Sequence, residues 1–254
     1  MPVLAGLVGV IVTVLGILGY KTRRARLAVV GASFKETVDA LSADNEVKRM
    51  AAAVLLRRYF DRTSEQGVGR RAPYRKEAIE VIAGMLRQEQ PVRVQKVLAD
   101  GLRYAVDLTH ADLQRCDLSD SYIGQKVGDP MSADLTEADL FGAICLGTSF
   151  RNVTAVRTVF YGANLRKAVF EGANCQGANF RDANCQGAKF GGADLANADF
   201  TGAKIGGARF RTKPESNGGK IVSAKNIPTQ VASHLDAEGI AAPNSVVSAA
   251  SDGP

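Results

Sequence analysis

The sequence predicts a solenoid fold for Ala133 to Phe210, and three observations carry that prediction. The first is a period of five. Its centres are Leu135, Leu140, Cys145, Phe150, Ala155, Phe160, Leu165, Phe170, Cys175, Phe180, Cys185, Phe190, Leu195, Phe200, Ile205 and Phe210, without a slip. The second is a small residue two positions before each centre, Ala in every unit except those of Thr148, Val153 and Thr158. The third is that Gly142, Gly147, Gly162, Gly172, Gly177, Gly187, Gly192, Gly202 and Gly207 all fall two after a centre, where a corner needs a permissive backbone. A period of five fits neither the 3.6 of a helix nor the 2 of a strand. A fixed short repeat with two inward residues per unit fits coils whose stacked neighbours complete the core.

Between the small residue and the centre stands Asp or Asn in most units, as in Ala-Asp-Leu and Ala-Asn-Phe. This pattern resembles the signature of the pentapeptide repeat family. The resemblance implies a mainly β solenoid, a right-handed quadrilateral parallel β-helix with four units per coil, the centre and the preceding Ala pointing inward. Centres twenty residues apart then stack in columns. Phe150, Phe170, Phe190 and Phe210 form one column, and Phe160, Phe180 and Phe200, below Leu140, form the opposite one. Leu135/Ala155/Cys175/Leu195 and Cys145/Leu165/Cys185/Ile205 supply smaller groups between the facing rings, which fills a narrow interior.

The chain begins with an apolar stretch, Val3 to Tyr20, that carries no charge. As a helix it reaches roughly 27 Å, near the short end of what crosses a bilayer. Lys21, Arg23, Arg24 and Arg26 follow at once. Positive charge after the apolar stretch favours an uncleaved transmembrane anchor over a secretory signal, with the bulk of the chain in the cytoplasm of a bacterial inner membrane protein. These four cations are the candidate contacts to anionic lipid head groups. Ala5, Gly9 and Gly16 can share one helix face, a seam compatible with a homodimer.

Residues 33–105 read as helices. Phe34, Val38 and Leu41 make a short stripe, and Asp44 is placed to cap a helix whose apolar face is Val47, Met50, Ala51, Val54 and Leu55. A polar loop spans Thr63 to Ala72. Pro73 opens a helix with Ala78, Ile79, Ile82, Met85 and Leu86 inward, and Pro91 opens another with Val94, Val97, Leu98 and Leu102 inward. Such helices are expected to cover the first coil, whose open end is otherwise an unpaired β edge.

An early coil is centred on Leu108, Leu113, Leu118 and Ile123. From Ile123 to Leu135 the spacing is twelve, so a loop of about seven extra residues separates this coil from the main run. The total is five coils, roughly 24 Å tall at about 4.8 Å per coil. After Arg211 the repeat stops; Pro228 to Ala237 predicts a short helix with Val231 and Leu235 on one side, ended by Gly239. From Ala241 the small-residue tail is expected to be disordered. The parts are a transmembrane anchor (1–20), a basic juxtamembrane helical module (21–105), the β-helix (106–211) and a C-terminal cap with its tail (212–254).

Charge is placed unevenly. Residues 21–105 hold 18 Lys/Arg against 10 Asp/Glu, whereas residues 106–211 hold 11 against 12. Some members of the resembled family bind DNA gyrase by imitating duplex DNA, which requires a strongly acidic rod; a near-neutral solenoid puts that inheritance in doubt. The basic helical segment lies beside the membrane, where lipid head groups rather than nucleic acid are the expected counter-charge.

No constellation for catalysis stands out, because a filled β-helix has no pocket. Cys116, Cys145, Cys175 and Cys185 sit at inward positions as core filler, which suits a reducing compartment. His110, Asp112, Cys116 and Asp117 are the nearest approach to a ligand set, but His110 points outward and Cys116 inward. The expected function is therefore a non-enzymatic, membrane-tethered scaffold or protein-binding platform without cofactor or metal. The alternative is a DNA-mimic regulator of gyrase or another DNA-directed regulator. The candidate contact patch is Phe141, Ile144, Leu146, Val159 and Tyr161, apolar outward positions on adjoining faces. Either it docks a partner or a second copy, or the inserted loop or helical module folds over it.

Overall fold

Corners determine the architecture. In the computed structural model, every residue two after a centre from Glu137 to Gly207 has positive φ, between 53° and 73°. Nine of these are the periodic glycines, and the rest are Glu137, Asn152, Arg157, Lys167, Asp182 and Asn197. The next N–H closes the turn on the centre's carbonyl, as Ala138 does to Leu135 at 2.9 Å and Ala163 does to Phe160 at 3.1 Å. A positive φ at the third residue of such a turn is what a type II turn requires. The outward Asp or Asn before the centre secures the same corner. Its Oδ1 accepts the N–H of the residue after the centre, as in Asp134 to Thr136 at 2.9 Å, Asn179 to Arg181 at 3.0 Å and Asp199 to Thr201 at 2.8 Å. These Asx bonds give the acidic and amide positions a structural role that the sequence reading did not assign.

The structure describes residues 24–25, 27–60, 74–125, 132–211, 227–237 and 239–248. The proposed anchor Val3 to Tyr20, the cations Lys21, Arg23 and Arg26, and most of the loops at Thr63 to Ala72 and after Ile123 lie outside the described residues. Arg24 is described and exposed. Among the described residues no helix is long and apolar enough to cross a membrane.

Coils stack through parallel bridges twenty residues apart, such as Asp134 with Thr154, Thr154 with Asn174 and Asn174 with Asp194. Between the early coil and the next the offset is 27, as in Asp107 with Asp134 and Asp117 with Ile144, which places seven extra residues between them. Each side of a coil carries a single bridge rather than a strand. With two of every five residues spent on a corner, a side is too short for a longer ladder. The resulting β-helix is four-sided, and its interior is enclosed: all sixteen centres are fully buried. Rings within a Phe column stack at 4.6 to 5.1 Å, and the two columns meet edge to face across the lumen at 5.4 to 6.4 Å. Both geometries are favourable for aromatic quadrupoles. Where the small position is Thr, the hydroxyl is spent inward: Thr148 donates to Leu118 O at 2.6 Å and Thr158 to Leu135 O at 2.7 Å.

Ahead of the coils stand α1 (27–41), α2 (Glu46–Leu56), α3 (Arg75–Leu86) and α4 (Val92–Leu102). α3 and α4 bury the expected faces, Ala78, Ile79, Ile82 and Leu86 on one and Val94, Leu98 and Leu102 on the other. α2 differs. Its cap is Asn45, which accepts Lys48 N–H at 3.1 Å, not Asp44. Its buried face is Ala52, Ala53 and Leu56, while Val47 is 67% exposed and Val54 and Leu55 face solvent. The small alanines let α2 approach α4 closely, and the bulkier stripe is turned outward. Phe34 ties α1 in place, edge-on to Tyr59 at 5.0 Å and stacked on Tyr74 at 4.9 Å.

At the far end the expected short helix is one turn, α5 (Thr229–Ala232), with Val231 fully buried. The segment after it corrects the expectation of disorder from Ala241. Residues 239–248 run antiparallel to the last coil, pairing Arg209 with Ile240 and Lys204 with Val246. Gly207 N–H donates to Ala241 O, Ile205 to Ser245 O and Gly202 to Val247 O, so the terminal edge is paired from Gly202 onward. Ala241 and Val247 are buried against it. A low-hydrophobicity tail is ordered here because it answers open backbone groups, not because it brings a large apolar face.

Candidate protein-contact surface

The helical module meets the open end of the early coil. In the stack, the N–H of each centre and of the residue two after it donate to the next coil. The first coil has no predecessor to supply these donors. Side chains replace them. Arg87 donates from Nη2 to Asp112 O and from Nε to Gln114 O, both at 3.0 Å. Gln95 donates to Asp117 O at 2.9 Å and Ser119 O at 3.3 Å, and Arg75 reaches Ala105 O and Asp107 O. The Asp117 N–H finds Leu86 O at 2.8 Å, and that of Tyr122 finds Asp100 Oδ1 at 2.8 Å. The helices thus cover the end of the stack.

On one side of the solenoid Phe141 and Tyr161 stack with centroids 5.6 Å apart and planes within 7°. Both stand just after their centres, one coil apart, so the bridge of Asp139 with Val159 sets their register. The Asp139 carboxylate fixes the base of this stack: Oδ1 accepts the Phe141 N–H at 2.9 Å, and Oδ2 accepts Gln114 Nε2 at 2.7 Å. Arg115 lies over the Phe141 ring at 5.9 Å. Val159, half-buried, lies beside the rings; around the Gly142 corner Ile144 is 43% and Leu146 37% exposed, and Tyr161 is 36% exposed. Ile144, Leu146 and Tyr161 keep this exposure with the described part of the helical module in place; the inserted segment lies outside the described residues.

Glu137, near the patch, is paired. Arg157 bonds Glu137, and this contact holds the Glu137 carboxyl below its usual range. His110 Nδ1 lies 3.1 Å from Glu137 Oε2. Cys116, by contrast, is buried and donates to Ala83 O at 3.4 Å, so it diverges from His110. Burial pushes the Cys116 thiol up to about 11 and raises those of Cys145, Cys175 and Cys185 further. None of the four offers a thiolate at neutral pH. Among the described residues no group of His, Cys, Asp or Glu is placed to hold a metal.

Two elements escaped the sequence reading. The edge caps Arg87 and Gln95 carry no local motif. The axial sorting of solenoid charge was hidden by its near-zero sum: residues 107–139 hold eight Asp/Glu and two Lys/Arg, residues 151–211 four and nine. Aligning outward residues twenty apart would have revealed it.

The family model agrees with the repeat pattern. Residues 133–172 and 173–211 match the family model for pentapeptide repeats, eight copies in all. Such repeats fold as right-handed quadrilateral β-helices. No curated protein matches the sequence. Among solved structures, HetL, a pentapeptide repeat protein involved in heterocyst differentiation regulation in the cyanobacterium Nostoc, is 26% identical over 45% of this chain and 53% of its own, with a TM-score of 0.30. A pentapeptide repeat protein of the Arabidopsis thaliana thylakoid lumen is 28% identical over 44% of this chain and 66% of its own, with a TM-score of 0.20. QnrB1, a plasmid-mediated fluoroquinolone resistance protein, is 16% identical over 47% of this chain and 76% of its own, with a TM-score of 0.22. The chain spans from about half to just under two thirds of the length of the first two.

Proposed function

We propose that this chain, which carries pentapeptide repeats over residues 133–211, is a non-enzymatic platform that presents its solenoid to another protein chain from a bacterial inner membrane. Val3 to Tyr20 is the single-pass anchor, Lys21, Arg23, Arg24 and Arg26 meet anionic lipid head groups, and the remainder is cytoplasmic. The stacked pair of Phe141, half-buried, and Tyr161, exposed, flanked by Ile144, Leu146 and Val159, carries the reading. Contiguous apolar side chains on a wall whose other outward positions are polar mark a contact surface. Stacked aromatics at such a surface are rigid anchors of the kind that dominate binding energy.

A double substitution tests this. In the full chain in detergent, Phe141→Ser with Tyr161→Ser should leave the melting temperature in place and abolish association with the partner, or lower the oligomeric mass if the partner is a second copy. A fall in melting temperature with association intact would make the patch internal and reject the reading. The DNA-mimic alternative needs acidic charge along the whole rod, and the last coils are basic. Inhibition of a topoisomerase by the full chain would revive it.

A further inference from the structure

We propose that the C-terminal coils carry an anion site for a phosphate group. Lys189 and Arg209 occupy adjacent rungs of one column, joined by a parallel bridge, so their side chains leave the same wall about 4.8 Å apart. Like charges on neighbouring rungs repel. Three arginines elsewhere on the solenoid meet a carboxylate on a neighbouring rung: Arg181 meets Asp199, Arg151 meets Glu171 and Arg157 meets Glu137. Among the described residues no carboxylate lies within ion-pair distance of Lys189 or Arg209, nor of Lys167 at the neighbouring corner.

The surface here is concave. A depression of about 410 Å³ is lined by Lys167, Lys189, Arg209, Arg211, Glu171 and the two corner glycines. Gly187 and Gly207 stack at that corner without side chains and leave the floor open beneath the cations. Arg211 is held at the rim by its bond to Ala237 O at 2.8 Å. The single carboxylate, Glu171, is already engaged by Arg151. Four cations around one open floor suit a compact dianion, because guanidinium forks and ammonium donors bind phosphate oxygens with charge-assisted bonds. Free phosphate and the exposed monoester of a lipid head group present the same chemistry to this site.

The test uses the full chain in a neutral detergent, titrated calorimetrically with pyrophosphate against sodium chloride of equal ionic strength. Saturable pyrophosphate binding is expected, weakened by about tenfold or more in Lys189→Gln/Arg209→Gln. Lys204→Gln, on a different face, should bind as the parent does. Pyrophosphate should also raise the melting temperature of the parent and not that of the double variant. If the double variant fails to melt cooperatively, Lys167→Gln takes its place, with the same expectation of weakened binding. Short-chain phosphatidic acid added to the same micelles distinguishes the sources: competition with pyrophosphate assigns a lipid monoester, and its failure to compete assigns a free phosphate. Absence of saturable binding, or equal binding by parent and charge-removed variants, overturns the proposal.

Discussion

Arg87 holds Asp112 twice: its Nη2 donates to the Asp112 carbonyl at 3.0 Å and pairs with the carboxylate at 2.9 Å. With Nε on Gln114 O, one guanidinium supplies both donors that a preceding coil would have given this side of the stack. A planar fork suits that task and an ammonium does not. Arg87→Ala should cost about 1 to 2 kcal/mol, the lower part of the range for charged hydrogen bonds, because water can reach the half-exposed site. Arg87→Lys should recover less than half of the loss. Denaturant titration gives the energies, and amide exchange should be faster in residues 112–118 than in the last coils.

The core prediction rests on Phe180. It lies between Phe160 at 5.0 Å and Phe200 at 4.6 Å, with Phe170 and Phe190 edge-on across the lumen. Its removal leaves a ring-sized void between coils that cannot close without shifting every rung. Phe180→Ala should cost about 3 to 5 kcal/mol. Asn179→Ala, one residue earlier and outward, loses only the Asx bond to the Arg181 N–H and should cost about 1 kcal/mol. Equal losses in a urea melt would contradict the inward assignment of the centre.

Gly162 isolates the price of the corner itself. Its φ is +64° and a Cβ there meets nothing within 4 Å, so Gly162→Ala tests backbone strain without a clash. It should cost about 1 to 2 kcal/mol. Asn occupies the equivalent corner at positions 152 and 197, so Gly162→Asn should recover most of that loss. Thermal melts of the three forms decide it; an alanine variant as stable as the parent would mean that the corner imposes no strain.

The repeats were legible because one rule governs every unit: the corner takes two residues, the wall three, and the interior accepts a small and a large side chain two positions apart. That rule is written in Ala133 to Phe210 without interruption. The orientation of α2 was not legible. Val47, Met50, Ala51, Val54 and Leu55 form as regular a helical stripe as Ala52, Ala53 and Leu56, and of that stripe Met50 packs against the core. What decided the face was the close approach to α4, a tertiary constraint with no local trace. The ordered segment 239–248 escaped for a related reason. Gly239, Ala241, Ser245 and Val247 contribute backbone pairing to the final coil, which composition does not record. In the contact patch, positions were legible from the column register, whereas exposure depended on where the helical module docks.

The cysteines give a pH dependence with a definite sign. Cys145, Cys175 and Cys185 are fully buried centres, and Cys116 is buried under α3. Burial raises each folded thiol above its ordinary value, to about 11 for Cys116 and beyond it for the others. A raised folded value means that the native state binds its protons more tightly than the unfolded chain. The associated stability is therefore fully present below the unfolded thiol value and is lost as pH rises from about 9. Urea midpoints should be flat from pH 7 to about 8.5 on this account and then fall. Lys and Tyr also titrate in the alkaline range, so the decisive comparison is with a variant lacking the thiols. Cys175→Ala is tolerable in shape because Ala155 occupies the same column one coil earlier, and Cys145→Ala and Cys185→Ala remove the other two fully enclosed groups. The triple variant should be less stable than the parent at pH 7 because of the voids, yet lose less stability between pH 9 and 11. Parallel alkaline slopes for the two proteins would show that the buried thiols do not control the transition.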